Sequence, residues 1–248
     1  MNIRIDVVMI TKNSEKPCLR ESLDSIVQNV PLNRLIVVDS FSTDGTIRIV
    51  NDYDIDKKII SVDAGRGKAR EIGIREVETD LFAFVDSDVI LSDGWFEKIV
   101  PNLGPDIGAV EGNVRSKDGV VQNIVTNKRA YTNCTLIRKE AVEGIKIPDE
   151  ISVYEDQFIR RFIERKGLQW VKVGDPCSLH LSGSSRLGDA YEIGRIGGKY
   201  GLVSLTSRVR GLLSVLLHRI SSGEGDDPRI QLNIIEGHLA GWLERHRQ

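Results

Sequence analysis

Two carboxylates separated by one residue, Asp86 and Asp88, are the first feature of the sequence that could do chemistry. They follow the apolar run at residues 81–85, which is typical of a buried strand. Such a pair can share one hard divalent cation through oxygen ligands, and a diphosphate can fill the remaining coordination positions. Because aspartate is also common where strands turn into loops, this D-x-D tripeptide is by itself a weak signal.

The elements that must position these carboxylates follow an alternation of short apolar runs and helical stripes. Strands are predicted at 3–10, 35–38, 59–62 and 81–85, and helices after residue 17, near residue 46 with Thr43 as its cap, and at 68–77. This order predicts a mainly parallel sheet with helices on both faces. Asp39 and Asp86 then lie at the carboxyl ends of the second and fourth strands and face one crevice, where open α/β sheets bind ligands.

The alternation changes in the second half of the chain. A helix at 95–103, a strand at 107–111 and a loop with a hairpin at 112–133 are predicted, followed by a strand at 135–138, a helix at 155–166 and strands at 170–173 and 178–181. These additions make the sheet mixed. From residue 183 the pattern is helical, with a break at 223–228, and the Gly- and Ser-rich stretch 181–188 predicts a mobile loop.

Composition excludes several classes of protein. The 248 residues are 40% hydrophobic and 28% charged, as in ordinary globular proteins, and the net charge of −2 does not provide the basic field that a general nucleic-acid binder needs. The three cysteines are odd in number and widely spaced, so we expect reduced thiols rather than disulfides or a zinc site. The sequence shows neither a signal peptide nor a long apolar span, so we expect a cytoplasmic protein.

Five short segments carry a more specific signal. They read VMITKN at 8–13, VVDSFSTDGT at 37–46, GKAREIG at 67–73, FVDSD at 84–88 and ED at 155–156. In this order they resemble family 2 of the inverting glycosyltransferases, whose patterns include V-D-D-G-S-T-D-G-T and G-x-A-R-N-x-G, and the resemblance covers residues 3 to about 182. Several matching segments in one order are far less probable by chance than any one of them.

The resemblance implies a GT-A fold and transfer of a sugar, with inversion, from a nucleotide-diphosphate-sugar to an acceptor hydroxyl. A UDP-sugar is the favoured donor, and a saccharide or a lipid-linked molecule is the acceptor. Asp86 and Asp88 would hold Mn²⁺ or Mg²⁺ against the diphosphate. Thr11, Asp39, Arg70 and Asp86 would bind the nucleotide, because a carboxylate accepts hydrogen bonds from a uracil N–H or ribose hydroxyls and a guanidinium donates charge-assisted ones.

Two further residues receive roles from the resemblance. Asp156 would be the catalytic base that removes the proton of the acceptor hydroxyl. Its position before an apolar helix stripe is equally that of a carboxylate stabilised by the helix dipole. His180 would add a nitrogen ligand, which Mn²⁺ accepts more readily than Mg²⁺, although a core or surface histidine is the commoner use of such a residue.

Departures from the family pattern bear mainly on the donor. Ser40 and Phe41 stand where the family often has Asp and Gly, and Glu71 stands where Asn is frequent. The resemblance therefore predicts the fold more firmly than it predicts how the donor base is recognised. The Q-x-x-R-W segment of processive polysaccharide synthases does not occur, which implies a single addition.

The sequence also bears on three rival functions. A dinucleotide-binding oxidoreductase fails because its G-x-G-x-x-G pattern requires glycine where Arg70 stands. A nucleotidyltransferase would open with a G-x-x-T-R loop, where this chain has residues 11–13. A non-catalytic sugar- or protein-binding module that keeps the fold stays open as an alternative.

The domain organisation expected from these patterns has two parts. Residues 1–182 form a catalytic domain, with a nucleotide-binding half at 1–115 and an acceptor half at 116–182, and residues 183–248 form a helical extension. Apolar residues recur at helical spacing from 202 to 220, accompanied by Arg208, Arg210, His218 and Arg219. This stripe fits peripheral contact with an anionic membrane surface, packing on the catalytic domain, or a homodimer.

Overall fold

The computed structural model describes residues 3–121, 129–181, 189–222 and 228–247, with the side chains of 218–222 left out. The chain divides into two compact units, Met1–Gly183 and Ser184–Gln248. Nearly all of the predicted mobile loop at 181–188, part of the predicted hairpin region at 112–133, most of the predicted break at 223–228, and the side chains of His218 and Arg219 lie outside the described residues.

The first unit is built on an eight-stranded sheet. Its strands are β1 (Ile5–Thr11), β2 (Leu32–Asp39), β3 (Lys57–Ser61), β4 (Leu81–Val85), β5 (Val89–Ile90), β6 (Ile107–Ser116), β7 (Cys134–Arg138) and β8 (Gln169–His180). The order across the sheet is β3-β2-β1-β4-β7-β6-β8-β5. Of these described strands, β5 and β7 run against the other six, so the sheet is mixed and mainly parallel, as predicted.

Helices cover both faces of this sheet. They are α1 (Leu19–Asn29), α2 (Thr46–Asn51), α3 (Arg66–Glu76), α4 (Trp95–Ile99), which continues into the 3₁₀ turn Val100–Asn102, α5 (Lys139–Val142) and α6 (Glu155–Arg165). Val7 and Met9 of β1 join the buried cluster of α1, α2 and α4, whereas Val8, on the opposite face, contacts α3. This alternation is what a strand buried on both sides requires.

Three sequence predictions need correction. The two strands predicted at 170–173 and 178–181 form one strand, β8 (Gln169–His180), because β6 pairs with it on both sides of the turn-like residues 173–176, across a bulge between Glu111 and Asn113. For the same reason β6 runs to Ser116, beyond the predicted end at 111. The N-cap residue of α2 is Gly45 rather than Thr43, and the carboxylate before it, Asp44, accepts hydrogen bonds at Oδ1 from the backbone N–H and the hydroxyl of Thr46. The three cysteines are free thiols, as predicted.

The second unit consists of α7 (Ala190–Lys199), α8 (Leu205–Ser222) and α9 (Pro228–His246). Glycines bring the backbones of α7 and α9 into direct contact: a Cβ on Gly198 would lie 2.1 Å from the carbonyl oxygen of His238, and one on Gly237 would lie 1.9 Å from that of Tyr191. Only residues without a side chain allow this approach. Within the described ranges, no helix is long and apolar enough to cross a membrane.

Candidate active site

The first site residues lie at the carboxyl ends of β1 and β2. Thr11 and Asp39 are partners in the parallel ladder, and the Thr11 hydroxyl donates a hydrogen bond to Asp39 Oδ1 over 2.7 Å. Ser42 donates its backbone N–H to Asp39 Oδ2 over 2.8 Å and its hydroxyl to Oδ1 over 2.5 Å. The Asp39 residue is only 1% exposed. Three of the roughly four acceptor positions of this carboxylate are therefore used within the protein.

Asp86 and Asp88 lie in the tight turn between β4 and β5. The backbone N–H of Asp86 donates to the carbonyl oxygen of Asn133, and the carbonyl oxygen of Asp88 accepts from the N–H of Leu181. Their side chains stay 27% and 28% exposed, so both carboxylates are open to a ligand. The strand pairing thus fixes the backbone of the turn and leaves the acidic groups at the surface of the crevice.

His180 is brought to the same turn by the last residues of β8. Val89 and His180 are antiparallel partners, and His180 Nε2 lies 3.4 Å from Asp88 Oδ2. Burial lowers the pKa of His180, but the hydrogen bond to Asp88 and the charges of Asp88 and Asp86 outweigh it, so the net pKa is raised. The structure therefore places the three predicted metal ligands at one turn.

This donor set fits a divalent cation only in part. Two carboxylates and one imidazole suit Mn²⁺ better than Mg²⁺. Asp86 Oδ1, however, is held by Arg70 at 3.0 Å. Among the described residues, no three His, Cys, Asp or Glu side chains converge closely enough to form a complete metal site. Oxygens from a bound diphosphate would have to complete the coordination.

Arg70 lies on the buried face of α3, in contact with Asp86. Glycines allow α3 to approach its neighbours, since a Cβ on Gly73 would lie 2.3 Å from Cγ1 of Val8, and one on Gly67 equally close to the carbonyl oxygen of Ile151. The guanidinium is 3% exposed and its centre lies 4.9 Å from the centroid of the Phe84 ring. The sequence predicts that Arg70 binds the nucleotide, but the structure surrounds it with protein.

Three carboxylates surround this guanidinium. Its Nη2 lies 3.0 Å from Asp86 Oδ1, and its Nε lies 3.8 Å from Glu155 Oε1 and 3.9 Å from Asp156 Oδ1. Arg70 therefore links the turn after β4 to the first turn of α6. This single cation partly offsets the charge of acidic groups from two distant parts of the chain.

Asp156 occupies the first turn of α6, where its side chain keeps 21% exposure. The hydroxyl of Thr132 donates to Asp156 Oδ1 over 2.7 Å. The pKa of the Asp156 carboxyl is raised: burial is the main cause and the charge of Glu155 adds to it, while Arg70 and the Thr132 hydroxyl oppose the shift. A partly open carboxyl with a raised pKa is suited to proton transfer near neutral pH.

The family model for "Glycosyl transferase family 2" matches residues 6–166, which include all of these groups except His180. The chain belongs to glycosyltransferase family 2. The GT-A fold and the family predicted from the motifs are thereby confirmed.

Curated relatives of this glycosyltransferase match over part of its length. Poly(ribitol-phosphate) beta-N-acetylglucosaminyltransferase TarS of Staphylococcus aureus is 34% identical over 94 residues, which are 35% of this chain and 16% of that protein. An uncharacterized glycosyltransferase of Haemophilus influenzae is 30% identical over 99 residues, 38% of this chain and 40% of that protein. The chain thus spans well under two thirds of the length of these relatives.

Solved structures resemble the glycosyltransferase in fold. S. aureus TarS 1–349 in complex with UDP-GlcNAc has a TM-score of 0.62 at 19% identity, covering 98% of this chain and 72% of that one. Mannosyltransferase PcManGT from Pyrobaculum calidifontis, in complex with GDP-Man and Mn²⁺, has a TM-score of 0.61 at 19% identity, covering 96% and 71%. Glucosyl-3-phosphoglycerate synthase from Mycobacterium tuberculosis, with Mg²⁺ and UDP, has 0.61 at 20%, covering 81% and 80%.

Thr132 contacts a candidate site residue, Asp156, but the sequence did not single it out. It lies in the segment 129–133, just before β7, within a region predicted as loop and hairpin. The hydroxyl of Thr135 donates to the carbonyl oxygen of Tyr131, and the carbonyl oxygen of Asn133 accepts from Asp86. The segment 129–133 therefore contacts both Asp86 and Asp156, a relation that only the tertiary fold reveals.

A buried acidic residue, Glu111, fixes the backbone of segment 129–133. Its Oε2 accepts from Trp170 Nε1 over 2.7 Å, and its Oε1 lies 3.4 Å from Lys172 Nζ. The backbone of Tyr131 also donates to this carboxylate, and the Lys172 ammonium donates to the carbonyl oxygen of Arg129. Burial raises the pKa of Glu111 to about 7, against the lowering effects of Lys172, Trp170 and Tyr131. An acidic residue within an apolar strand was the available sequence signal.

Glu71, a departure from the family pattern, has a comparable supporting contact. Its Oε2 accepts the backbone N–H of Ile147 over 2.7 Å, and its Oε1 lies 3.2 Å from Lys68 Nζ. Glu71 thus fixes the loop that leads to α6 and Asp156.

Proposed function

We propose that this family 2 glycosyltransferase moves one sugar, with inversion, from a nucleotide-diphosphate-sugar to the hydroxyl of a saccharide or lipid-linked acceptor. The proposal rests on one observation: Arg70 contacts both Asp86, in the turn that also carries Asp88, and Asp156, in the first turn of α6, so the acidic turn and the candidate base lie close together. The fold shared with TarS, solved with UDP-GlcNAc, supports a nucleotide-sugar donor, with UDP-sugar as first choice. Residues 1–182 would form the catalytic domain.

In the proposed reaction Asp156 is the base. The acceptor oxygen bonds to the anomeric carbon from the face opposite the diphosphate, and the carbon–oxygen bond to the diphosphate breaks with its electron pair. The acceptor proton passes to the Asp156 carboxylate, whose raised pKa makes it a competent base near neutral pH. The Thr132 hydroxyl orients this carboxylate through the hydrogen bond to Oδ1.

The donor would lie along the carboxyl ends of β1, β2 and β4. Asp86 and Asp88, with His180 as a third ligand, would hold Mn²⁺ or Mg²⁺ together with diphosphate oxygens. When bound, the cation supplies positive charge that stabilises the departing diphosphate. The structures of PcManGT with Mn²⁺ and of the synthase with Mg²⁺ support metal use in this fold. Thr11 and Asp39 would shape the base pocket, with Asp39 offering its remaining acceptor position.

Isothermal titration calorimetry tests the donor site. We expect UDP, or failing that GDP, to bind more tightly with Mn²⁺ than with EDTA, and Asp86→Ala or Asp88→Ala to remove most of the metal-dependent part. Asp54→Ala is the matched control, because Asp54 is exposed just before the amino end of β3, away from the carboxyl edge. Equal affinity with chelator and with Mn²⁺ would contradict the metal site.

A non-catalytic binding module is the alternative function, and donor turnover separates the two. The purified enzyme is expected to release UDP or GDP slowly from a nucleotide-sugar even without acceptor, whereas a binding module would leave the donor intact under the same conditions. Asp156→Asn serves as the inactive reference.

The partner of the C-terminal helices also belongs to the proposal. Along α8, Leu205, Val209, Leu213, Leu216 and Leu217 are exposed large apolar residues. The helix carries no acidic residue. This stripe fits an anionic lipid surface or a second copy of the chain. Co-sedimentation with anionic vesicles that falls with salt supports the first, and a dimer in light scattering supports the second. A cytoplasmic location stays a prediction, which cell fractionation checks.

A further inference from the structure

One residue of the donor edge has a backbone conformation that does not suit its side chain. Phe41 has φ of 51°, in the left-handed region. Among the described residues, only Asn13, at φ 51°, and Tyr154, at φ 61°, share a positive φ without being glycine. Asparagine tolerates this conformation, but for a bulky aromatic residue it is strained. Phe41 is also a position where the sequence departs from the family pattern.

The neighbours of Phe41 hold it in this conformation. On one side, the backbone N–H of Ser40 donates to the carbonyl oxygen of Thr11 and its hydroxyl to that of Ala64, both over 2.9 Å. On the other side, Ser42 donates its N–H and its hydroxyl to Asp39. The loop is therefore fastened on both sides of Phe41. Strain of this kind persists where the surrounding structure over-determines it, often at ligand sites.

The Phe41 ring gains little from packing in this position. The residue is 60% exposed, two positions after Asp39 at the carboxyl end of β2. Asp39, by contrast, is buried and largely saturated by Thr11 and Ser42. Of the side chains at 39–41, which the sequence linked to the donor base, the Phe41 ring is thus the most exposed.

We infer that the Phe41 ring stacks on the nucleobase of the donor, an inference that rests on the proposed function. Every base has a π-face that an aromatic ring can cover, and stacking is largely indifferent to the hydrogen-bond pattern of the base. Phe41 therefore provides affinity for the nucleotide, while Asp39 is left to discriminate between bases. Ligand contact offsets the strain that the free protein carries.

Calorimetry of three full-length variants with UDP and GDP, each with Mn²⁺, tests this inference. Phe41→Tyr keeps the ring and is expected to bind as the parent does. Phe41→Leu keeps apolar bulk but loses the ring, and Phe41→Asn suits the left-handed conformation, so both are expected to bind about tenfold more weakly. The melting temperature of Phe41→Asn is expected to equal or exceed that of the parent, since the backbone strain is relieved.

A ligand without a base provides the control. Pyrophosphate with Mn²⁺ is expected to bind all four proteins equally, because it lacks the surface on which the ring acts. Parental affinity of Phe41→Leu and Phe41→Asn for both nucleotides would overturn the stacking role while leaving the proposed function intact. If the parent protein binds neither UDP nor GDP, the proposed function fails and this inference fails with it.

Discussion

Arg70 shows how one residue can hold a site together without reaching its ligands. The guanidinium is buried, yet it contacts Asp86 directly and lies within 4 Å of Glu155 and Asp156. Those carboxylates come from the turn between β4 and β5 and from the first turn of α6, which are about 70 residues apart in sequence. Arg70 therefore contributes to the stability of the fold through its electrostatic interaction with these carboxylates. Because the guanidinium is buried, removing it costs more than removing one partner of an ion pair on the surface.

Replacing Arg70 by alanine should destabilise the fold strongly. We expect the free energy of unfolding to fall by about 3–5 kcal/mol, because the carboxylates lose a buried counter-charge. Urea denaturation measures this loss. Arg20→Ala is the matched control: Arg20 pairs with Asp52 over 2.6 Å, but the pair is half exposed and screened by solvent, so only a small change is expected. A loss for Arg70→Ala as small as that of the control contradicts the electrostatic role.

Asp156→Asn should separate chemistry from binding. Transfer is expected to fall by a factor on the order of 10² or more, while the affinity for nucleotide stays near that of the parent. Steady-state transfer rates and calorimetry measure the two effects. Transfer at the parental rate would mean that another group takes the proton.

The raised pKa of Asp156 also predicts the pH dependence of transfer. Only the deprotonated carboxylate accepts a proton, so the rate should rise with pH through a pKa above the ordinary aspartate value of about 3.9. Thr132→Val removes a hydrogen bond that favours the charged form, and should therefore move this acid limb to higher pH. Thr132→Ser, which keeps the hydroxyl, should restore the parental profile. Coincident profiles for all three proteins contradict the positioning role of Thr132.

Among the structural elements, the segment 129–133 depends on the pair of strands β6 and β8. Glu111 on β6 binds the backbone of Tyr131, and Lys172 on β8 binds that of Arg129. The two side chains are almost fully buried and also pair with each other. The segment that carries Thr132 is thus attached to the sheet through ionisable groups, which makes its attachment sensitive to pH.

Glu111 should make stability fall as pH rises. Its pKa is about 7 in the folded protein against an ordinary value of 4.5, so between these values the folded state binds more protons than the unfolded chain. The free energy of unfolding then decreases with pH by up to about 1.4 kcal/mol per unit. Glu111→Gln should flatten this slope in urea melts from pH 4.5 to 7. Glu97→Gln, at an exposed position on α4, should leave it unchanged.

The elements that the sequence predicted well are those whose pattern is local. The strand at 81–85 and the helix of Asp156 follow from apolar periodicity, and one motif contains Asp86 and Asp88. His180 was linked to them only by the resemblance, and the structure brings it next to Asp88. The continuity of β8 was not predictable from its own residues, because Gly174 and Pro176 look like a turn and only pairing with β6 keeps them in the strand. The role of Thr132 likewise depends on its hydrogen bond to Asp156, which lies 24 positions away in the sequence.

At the scale of the whole molecule, the chain keeps its proposed chemistry and its glycine-packed helices in separate compact units. All candidate site residues lie within Met1–Gly183. Damage to the packing of α7 on α9 should therefore leave the nucleotide site unchanged. The stability of the helical unit and the affinity for nucleotide can therefore be measured on the same variant.

Gly198→Ala should destabilise the helical unit, since its Cβ would lie 2.1 Å from the carbonyl oxygen of His238. Gly211→Ala on α8 would make only an ordinary van der Waals contact, with the side chain of Gln231 at 3.6 Å, and should stabilise its helix by up to about 1 kcal/mol. Thermal melts followed by circular dichroism compare the two. Both variants should bind nucleotide as the parent does. A loss of nucleotide affinity in Gly198→Ala alone would show that the stability of the helical unit affects the nucleotide site.

The pairing of β6 with β8 also sets an order of events during synthesis of the chain. Asp39 and Arg70 belong to β2 and α3, and Asp86 follows β4, so these parts of the donor side are complete by residue 88 and can assemble early. β6 obtains β7 on one side soon after it emerges, but its other side stays open until residues 169–180 have been made. During that interval one edge of β6 is unpaired, and Glu111, which is buried in the folded protein, is exposed to solvent. The nascent chain is then exposed to mispairing with another copy, and completion of β8 ends this exposure.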